Sequence, residues 1–77
     1  MRAYEEVIEF IAAGTSPDRV MTFHPSAAVK ERVQQLIQEE KTTGLSSEEQ
    51  SEIDHYMQLE HIMRLAKAKA RMYALNE

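Results

Sequence analysis

The sequence predicts an all-α fold: an antiparallel helical hairpin with a long C-terminal helix, preceded by two short N-terminal helices. Apolar residues recur at three- and four-residue spacing along most of the chain, which is typical of amphipathic helices. No run of residues alternates β-branched and polar side chains, so no strand is predicted. The 77 residues suffice for a single domain, with the short helices in 1–24 and the hairpin in 25–77.

The N-terminal part predicts two short helices. The first spans residues 3–13, and its apolar face is formed by Tyr4, Val7, Ile8 and Ile11. Gly14 follows at the position that favours a left-handed C-cap. Ser16 is the expected N-cap of the second helix, with Pro17 at its first helical position. Pro25 ends that helix, because the residue before a proline is disfavoured in the α conformation.

The third helix is expected to begin at Pro25–Ser26 and to reach about Thr42, where Gly44 ends it. Its apolar stripe consists of Val29, Val33, Leu36 and Ile37. A connection of four or five residues leads to the next helix, so the two are expected to fold back on each other as an antiparallel pair.

The run from Leu45 to Leu75 contains no glycine or proline and predicts one continuous helix. Ser46 or Ser47 is its expected N-cap, and a Glu or Gln three residues later completes a capping box. A helix of about 30 residues is roughly 45 Å long. A globule of this chain length is only about 30 Å across, so the helix is longer than its own chain can cover.

The distal half of this helix is therefore the expected partner-binding surface. The third helix, at roughly 25 Å, accompanies only the first half of the long helix. Beyond that point, apolar and small residues need cover from the N-terminal helices or from another chain: Ile62, Leu65, Ala66, Ala70, Met72 and Tyr73. Small residues on a helix face permit close approach of another helix. The sequence favours an intermolecular contact for 66–75, whereas for Tyr56–Met63 an intrachain core is equally expected.

Charge is divided unevenly along the chain. Residues 1–60 carry five Lys/Arg and twelve Asp/Glu, a net of −7, whereas residues 61–77 carry four Lys/Arg and one Glu, a net of +3. The absence of cysteine removes disulfides and the commonest structural zinc ligands, and fits a reducing compartment. Long apolar runs are missing, and glutamates near the N-terminus do not fit a signal peptide, so we expect a cytoplasmic protein.

The residues contain no recognisable catalytic constellation, and we expect a protein that is not an enzyme and has no cofactor and no metal. A cysteine nucleophile and a Gly-rich phosphate loop are missing, and the serines fall at helix starts. Glu52 and His55 match the Glu-x-x-His spacing of di-iron bundles, but such a site needs further glutamates, which a second protomer would have to supply. Solvated surface is the favoured interpretation of this pair.

Arg64, Lys67 and Arg71 follow one another along a helix face and are the candidate nucleic-acid contact. The helix macrodipole also favours basic residues near a helix C-terminus, and the sequence pI of about 5.3 argues against nucleic acid. A third interpretation of these basic residues is contact with an acidic protein partner. Near the hairpin turn an acidic tip is expected from Glu39, Glu40, Glu48 and Glu49. It is either solvated or suited to covering the basic groove of a nuclease.

Three segments, FHPS at 23–26, KTTGLSSEEQ at 41–50 and HYMQLEHIMRLAKAKAR at 55–71, resemble an uncharacterised all-helical family of small bacterial proteins common in cyanobacteria. The similarity covers about residues 7–73 and is most specific in 59–71. Members of that family are often encoded beside HNH endonucleases or PIN-type toxins. The resemblance implies an antitoxin-like or nuclease-companion role and supplies no catalytic residues.

These observations predict a partner-binding module, an antitoxin-like inhibitor that occludes a nuclease and exists as a dimer or in a heteromeric complex. One alternative is a DNA-binding accessory or transcriptional regulator that uses the basic end of the long helix. The other is a homo-oligomeric structural or metal-binding helical bundle.

Overall fold

A computed structural model describes residues 2–75 of the chain, which are mostly helical and contain no strand. The helices are α1 (Glu5–Ala12), α2 (Pro17–Thr22), α3 (Ala27–Thr42) and α4 (Ser47–Leu75). The all-α prediction and the long C-terminal helix are confirmed. The 29 residues of α4 are about 44 Å long, close to the molecule's longest dimension of 50 Å. Among the helices of 2–75, none is both long and apolar enough to cross a bilayer.

The ends of α1 and α3 and the starts of α2 and α3 have local causes that the sequence predicts. Gly14 and Gly44 both have a φ of +85°, the left-handed backbone that glycine adopts without a Cβ penalty. Ser16 and Ser26 are N-caps whose hydroxyl oxygens accept from backbone N–H groups three residues later, at 3.4 and 3.3 Å. A residue of α1 also contributes to the N-terminus of α3: a carboxylate oxygen of Glu6 accepts the N–H of Ser26 at 2.8 Å.

The buried core joins α3, the first half of α4 and the residues that precede α1. Its members are Ala3, Val29, Val33, Leu36, Ile53 and Tyr56. The predicted apolar stripe of α3 lies inside, with Leu36 fully buried and Ile37 half-buried at the edge. α3 and α4 are therefore held together by side chains that the heptad-like spacing of both helices places on facing sides.

α1 lies alongside α4. The ring of Tyr4 meets that of His55 edge-on, with 5.3 Å between centroids, and Val7 lines the same small cavity as Met63. The contacts follow the same order along both helices, so α1 and α4 point in the same direction. Phe10, at the far end of α1, continues this order because it contacts the C-terminus of α2.

The predicted apolar face of α1 is only partly used. Val7 is 3% exposed and Tyr4 is half-buried, but Ile8 and Ile11 are each 47% exposed. α1 has only eight residues, so the part of its apolar face that turns away from α4 has no second helix to cover it. Part of the apolar face of α1 is therefore exposed to solvent.

α2 packs on the distal half of α4. The rings of Phe10 and Phe23 lie 4.4 Å apart between centroids, which links α1 to the end of α2. The ammonium of Lys67 donates to the backbone carbonyl of Phe23 at 2.7 Å, and Ala70 is only 6% exposed. The N-terminal helices thus cover one side of the distal half of α4, the side that carries small residues.

Candidate partner-binding surface

Five large apolar side chains are exposed on the distal half of α4, and four of them share one face of the helix. The four are Ile62, Leu65, Met72 and Tyr73, with exposed fractions of 53, 60, 57 and 56%, whereas Leu75 lies outside this face. At about 100° per residue they fall within an arc of roughly 100° on the helix, the distal stripe, in which Lys69 lies between Leu65 and Met72. Exposed apolar side chains that share one face mark interaction sites more often than isolated exposed residues do.

The six residues predicted to bind a partner divide between two faces of α4. Ala66 is half-buried and Ala70 is buried, both on the side that α2 covers. Their small side chains permit the close approach of a helix, and the helix that approaches belongs to the same chain. The surface open to a partner consists of the other four residues, the distal stripe.

Positive charge accompanies the distal stripe. Lys69 lies within its arc, with its ammonium 5.9 Å from the centroid of the Tyr73 ring, a cation–π contact. Arg71 is also exposed but lies about 150° round the helix from the centre of the stripe. The segment 61–75 contains no acidic residue. A surface that matches the stripe is therefore apolar with carboxylates at its border.

Two of the three candidate nucleic-acid contacts have partners within the chain. Arg64 donates to a carboxylate oxygen of Glu60 at 2.6 and 3.1 Å, as the i, i+4 spacing predicts. The ammonium of Lys67 donates a hydrogen bond to the carbonyl of Phe23 at the C-terminus of α2. Arg71 is exposed, so the structure does not present the three cations as one equivalent row.

Glu52 is buried, so the expectation of solvated surface at this position is wrong. Its carboxylate is 6% exposed and accepts two hydrogen bonds from the Arg32 guanidinium, at 2.9 and 3.0 Å. The backbone N–H of Ala3 donates to the same carboxylate at 2.9 Å. The Arg32 guanidinium lowers the pKa of Glu52 below its ordinary value. This carboxylate connects α3, α4 and the segment before α1.

The other half of the Glu-x-x-His pair has different surroundings. His55 is exposed; its Nδ1 lies 3.4 Å from the hydroxyl of Ser51, and its ring rests against Tyr4. Within residues 2–75 there is no group of three His, Cys, Asp or Glu side chains placed to hold a metal ion. The Glu52 oxygens already have cationic and N–H partners.

The acidic tip contains a pair of carboxyl groups that interact. Ser46 and Glu49 form the predicted capping box, in which each side chain accepts the other's backbone N–H, at 3.1 and 3.0 Å. The N–H of Ser46 lowers the pKa of Glu49, and the hydrogen bond with Glu49 raises the pKa of Glu39. Of the two carboxyl groups, Glu39 therefore takes up a proton first as the pH falls, and Glu49 at the start of α4 keeps its negative charge to lower pH.

None of the protein families, curated proteins and solved structures compared with this chain matches it. The candidate surface is defined by its own geometry: an apolar strip with cations on the distal half of α4, and an acidic tip at the opposite end of the same helix.

Proposed function

We propose that this protein is a non-catalytic, cytoplasmic partner-binding module that acts as an antitoxin-like inhibitor or companion of a nuclease. The observation that carries the proposal is the distal stripe, whose four large apolar side chains are each more than half exposed. Covering such side chains on docking removes apolar area from water, and the transfer free energy gained is about 25 cal/mol per Å² of that area. The resemblance of residues 7–73 to proteins encoded beside nucleases and toxins supports the choice of partner.

The scaffold of the proposed module is an antiparallel hairpin of α3 and α4. Arg32 pairs with Glu52, and Glu39 interacts with Glu49, so positions further along α3 meet positions earlier in α4. This order is the one expected of two helices joined by a short turn that contains a left-handed glycine. α3 packs on the first half of α4 and α2 on its distal half, and a helix held in this way presents its exposed face with little ordering cost.

The proposed mechanism is occlusion. The distal stripe docks on an apolar patch of the nuclease, while the carboxylates of the acidic tip lie near its basic substrate groove and repel nucleic acid. Glu49 and Leu65 are 16 positions apart on α4, roughly 24 Å along the helix. A nuclease domain is wide enough to meet both ends, and two contacts at this spacing fix the orientation of the inhibitor.

The test combines capture with inhibition. The chain with an N-terminal affinity tag is used to recover partners from its host, and any recovered nuclease is purified and assayed with and without the module. We expect inhibition by the wild type and none by Leu65→Asp, which places a charge in the stripe. Met57→Asp is the matched control, because Met57 is a 42% exposed residue of α4 outside the stripe. Equal inhibition by both variants, or no inhibition by the wild type, contradicts the proposal.

A further inference from the structure

We propose that the distal stripe also pairs two copies of this chain, with the α4 helices antiparallel and α1 of each copy placed against the distal half of α4 in the other. This inference rests on the proposed function only in taking the stripe as a docking surface. It names the occupant of that surface when no nuclease is bound: a second copy of the same chain.

The stripe alone is small for a stable interface. Standard protein interfaces use about 20–30 residues on each side. α1 supplies further apolar surface, since Ile8 and Ile11 are each 47% exposed. Tyr4 contacts His55, which lies seven residues before Ile62 and so on nearly the same face of α4. The N-terminal end of α1 therefore borders the face that carries the stripe, and the two patches are neighbours.

Charge selects the relative direction of the two copies. α1 carries exposed carboxylates at Glu5 and Glu9, whereas Lys69 lies within the arc of the stripe and the segment 61–75 contains no acidic residue. A two-fold axis that sets the α4 helices antiparallel brings the acidic α1 of each copy toward the basic segment of the other, so the favourable contact occurs twice. A parallel arrangement would place basic segment against basic segment.

The consequence is a competition between two occupants. In the dimer the stripe is covered by the partner copy, and a nuclease binds only to a chain that has separated. The dimer is then a resting form, and nuclease binding shifts the population toward single chains in proportion to its greater affinity for them.

Sedimentation equilibrium of the purified full chain measures the pairing directly. The wild type is expected to be a concentration-dependent dimer, and Leu65→Asp is expected to raise its dissociation constant at least about tenfold, as for a central apolar contact. Met57→Asp is expected to leave the constant within about threefold of wild type. Circular dichroism of each variant verifies that it remains folded.

Charge reversal tests the direction of pairing. The pair of changes Glu5→Lys and Glu9→Lys, and separately the change Lys69→Glu, are each expected to weaken the dimer at low salt. Mixing the two variants restores pairing between them, because each copy then meets the opposite charge in its partner. Loss of stability alone would give no such recovery. The absence of recovery overturns the antiparallel arrangement.

Other occupants give different results. A wild type that stays monomeric up to about 1 mM, or a Leu65→Asp variant that pairs like wild type, overturns the proposal. Co-sedimentation of a monomeric wild type with phosphatidylglycerol vesicles also overturns it and identifies the stripe as a lipid-binding face. A dimer that captures no nuclease removes the proposed function and leaves this inference, whereas a monomer that inhibits a nuclease does the reverse.

Discussion

The Glu52 carboxylate receives hydrogen bonds from α3 and from the segment before α1, although it belongs to α4. A buried carboxylate is costly unless its oxygens are paired, and here the Arg32 fork and the Ala3 N–H supply the partners. The two ends of the ion pair differ in environment, because Arg32 is 33% exposed and reaches water while Glu52 does not. The pair fixes the relative position of three segments rather than adding to surface charge.

Glu52→Gln tests this role. The change keeps the size of the side chain but removes its charge, and we expect the free energy of unfolding to fall by about 1–2 kcal/mol at neutral pH. Urea titration followed by circular dichroism measures the loss. Glu60→Gln is the matched control, because the Glu60–Arg64 pair is exposed and its removal should cost less than about 0.5 kcal/mol. Equal losses for the two variants would contradict the assignment.

The same pair predicts a pH dependence. The pKa of Glu52 is lowered in the folded chain, so its stabilising contribution is complete above the ordinary value of 4.5 and is lost as the pH falls below it. The wild type should therefore be more stable than Glu52→Gln above about pH 4.5, and this difference in stability should shrink as the pH falls below that value. Thermal unfolding of both proteins at pH 7 and at acidic pH measures this convergence. A difference that stays constant with pH would argue against an ionised, paired Glu52.

At the scale of the elements, the caps and stops were predictable because they are local. Gly14, Ser16 and Gly44 act through their own backbone and nearest neighbours, and the structure bears them out. Glu52 was missed because its burial depends on a distant arginine. A signal existed: Glu52 precedes Tyr56 by four residues, so the apolar seam of α4 extends back to it. The cover of Ala70 by α2 was not predictable, since sequence spacing does not reveal where a short helix docks.

α2 has only six residues, and the ammonium of Lys67 on α4 donates to the carbonyl of Phe23 at its C-terminus. Lys67→Met removes that hydrogen bond and keeps the aliphatic stem. We expect a loss of about 1 kcal/mol in unfolding free energy and faster amide hydrogen exchange in α2 than in α3. Lys69→Met is the control, because Lys69 is exposed and its ammonium lies over the face of the Tyr73 ring, away from α2. Unchanged exchange in α2 would show that the contact does not hold it.

The start of α4 offers a comparison between adjacent serines. Ser46→Ala removes the hydroxyl that accepts the Glu49 N–H, and we expect a loss of about 1 kcal/mol. Ser47→Ala, at the first helical position, should change stability by less than about 0.5 kcal/mol. Thermal or urea unfolding distinguishes the two. A larger effect at Ser47 would mean that the helix begins one residue later.

The whole molecule is elongated and electrically divided. Its radius of gyration of 14.4 Å exceeds the roughly 11–12 Å expected of a globule of this length, because α4 extends beyond α3. The long axis separates the acidic tip from the basic end of α4, so the field is that of a dipole rather than of a uniform charge of −4. This arrangement favours oriented encounters with charged partners.

The same charge distribution predicts weak binding to nucleic acid. At about 150 mM salt we expect the dissociation constant for duplex DNA to exceed about 100 μM, because two of the three candidate cations are engaged within the chain. Fluorescence anisotropy of labelled DNA measures this, with Arg71→Ala as the comparison. Micromolar binding that weakens steeply with salt and is lost in Arg71→Ala would favour the DNA-binding alternative instead.

The burial of Ala3 has a practical consequence for handling the protein. Its backbone N–H donates to Glu52, the sixth residue of α4, so anything fused ahead of it emerges beside the first third of that helix, roughly 20–30 Å from Leu65 and Tyr73. A label or bead attached at that end leaves the exposed strip clear for capture. One attached after Leu75 emerges next to that strip and would compete with whatever binds there.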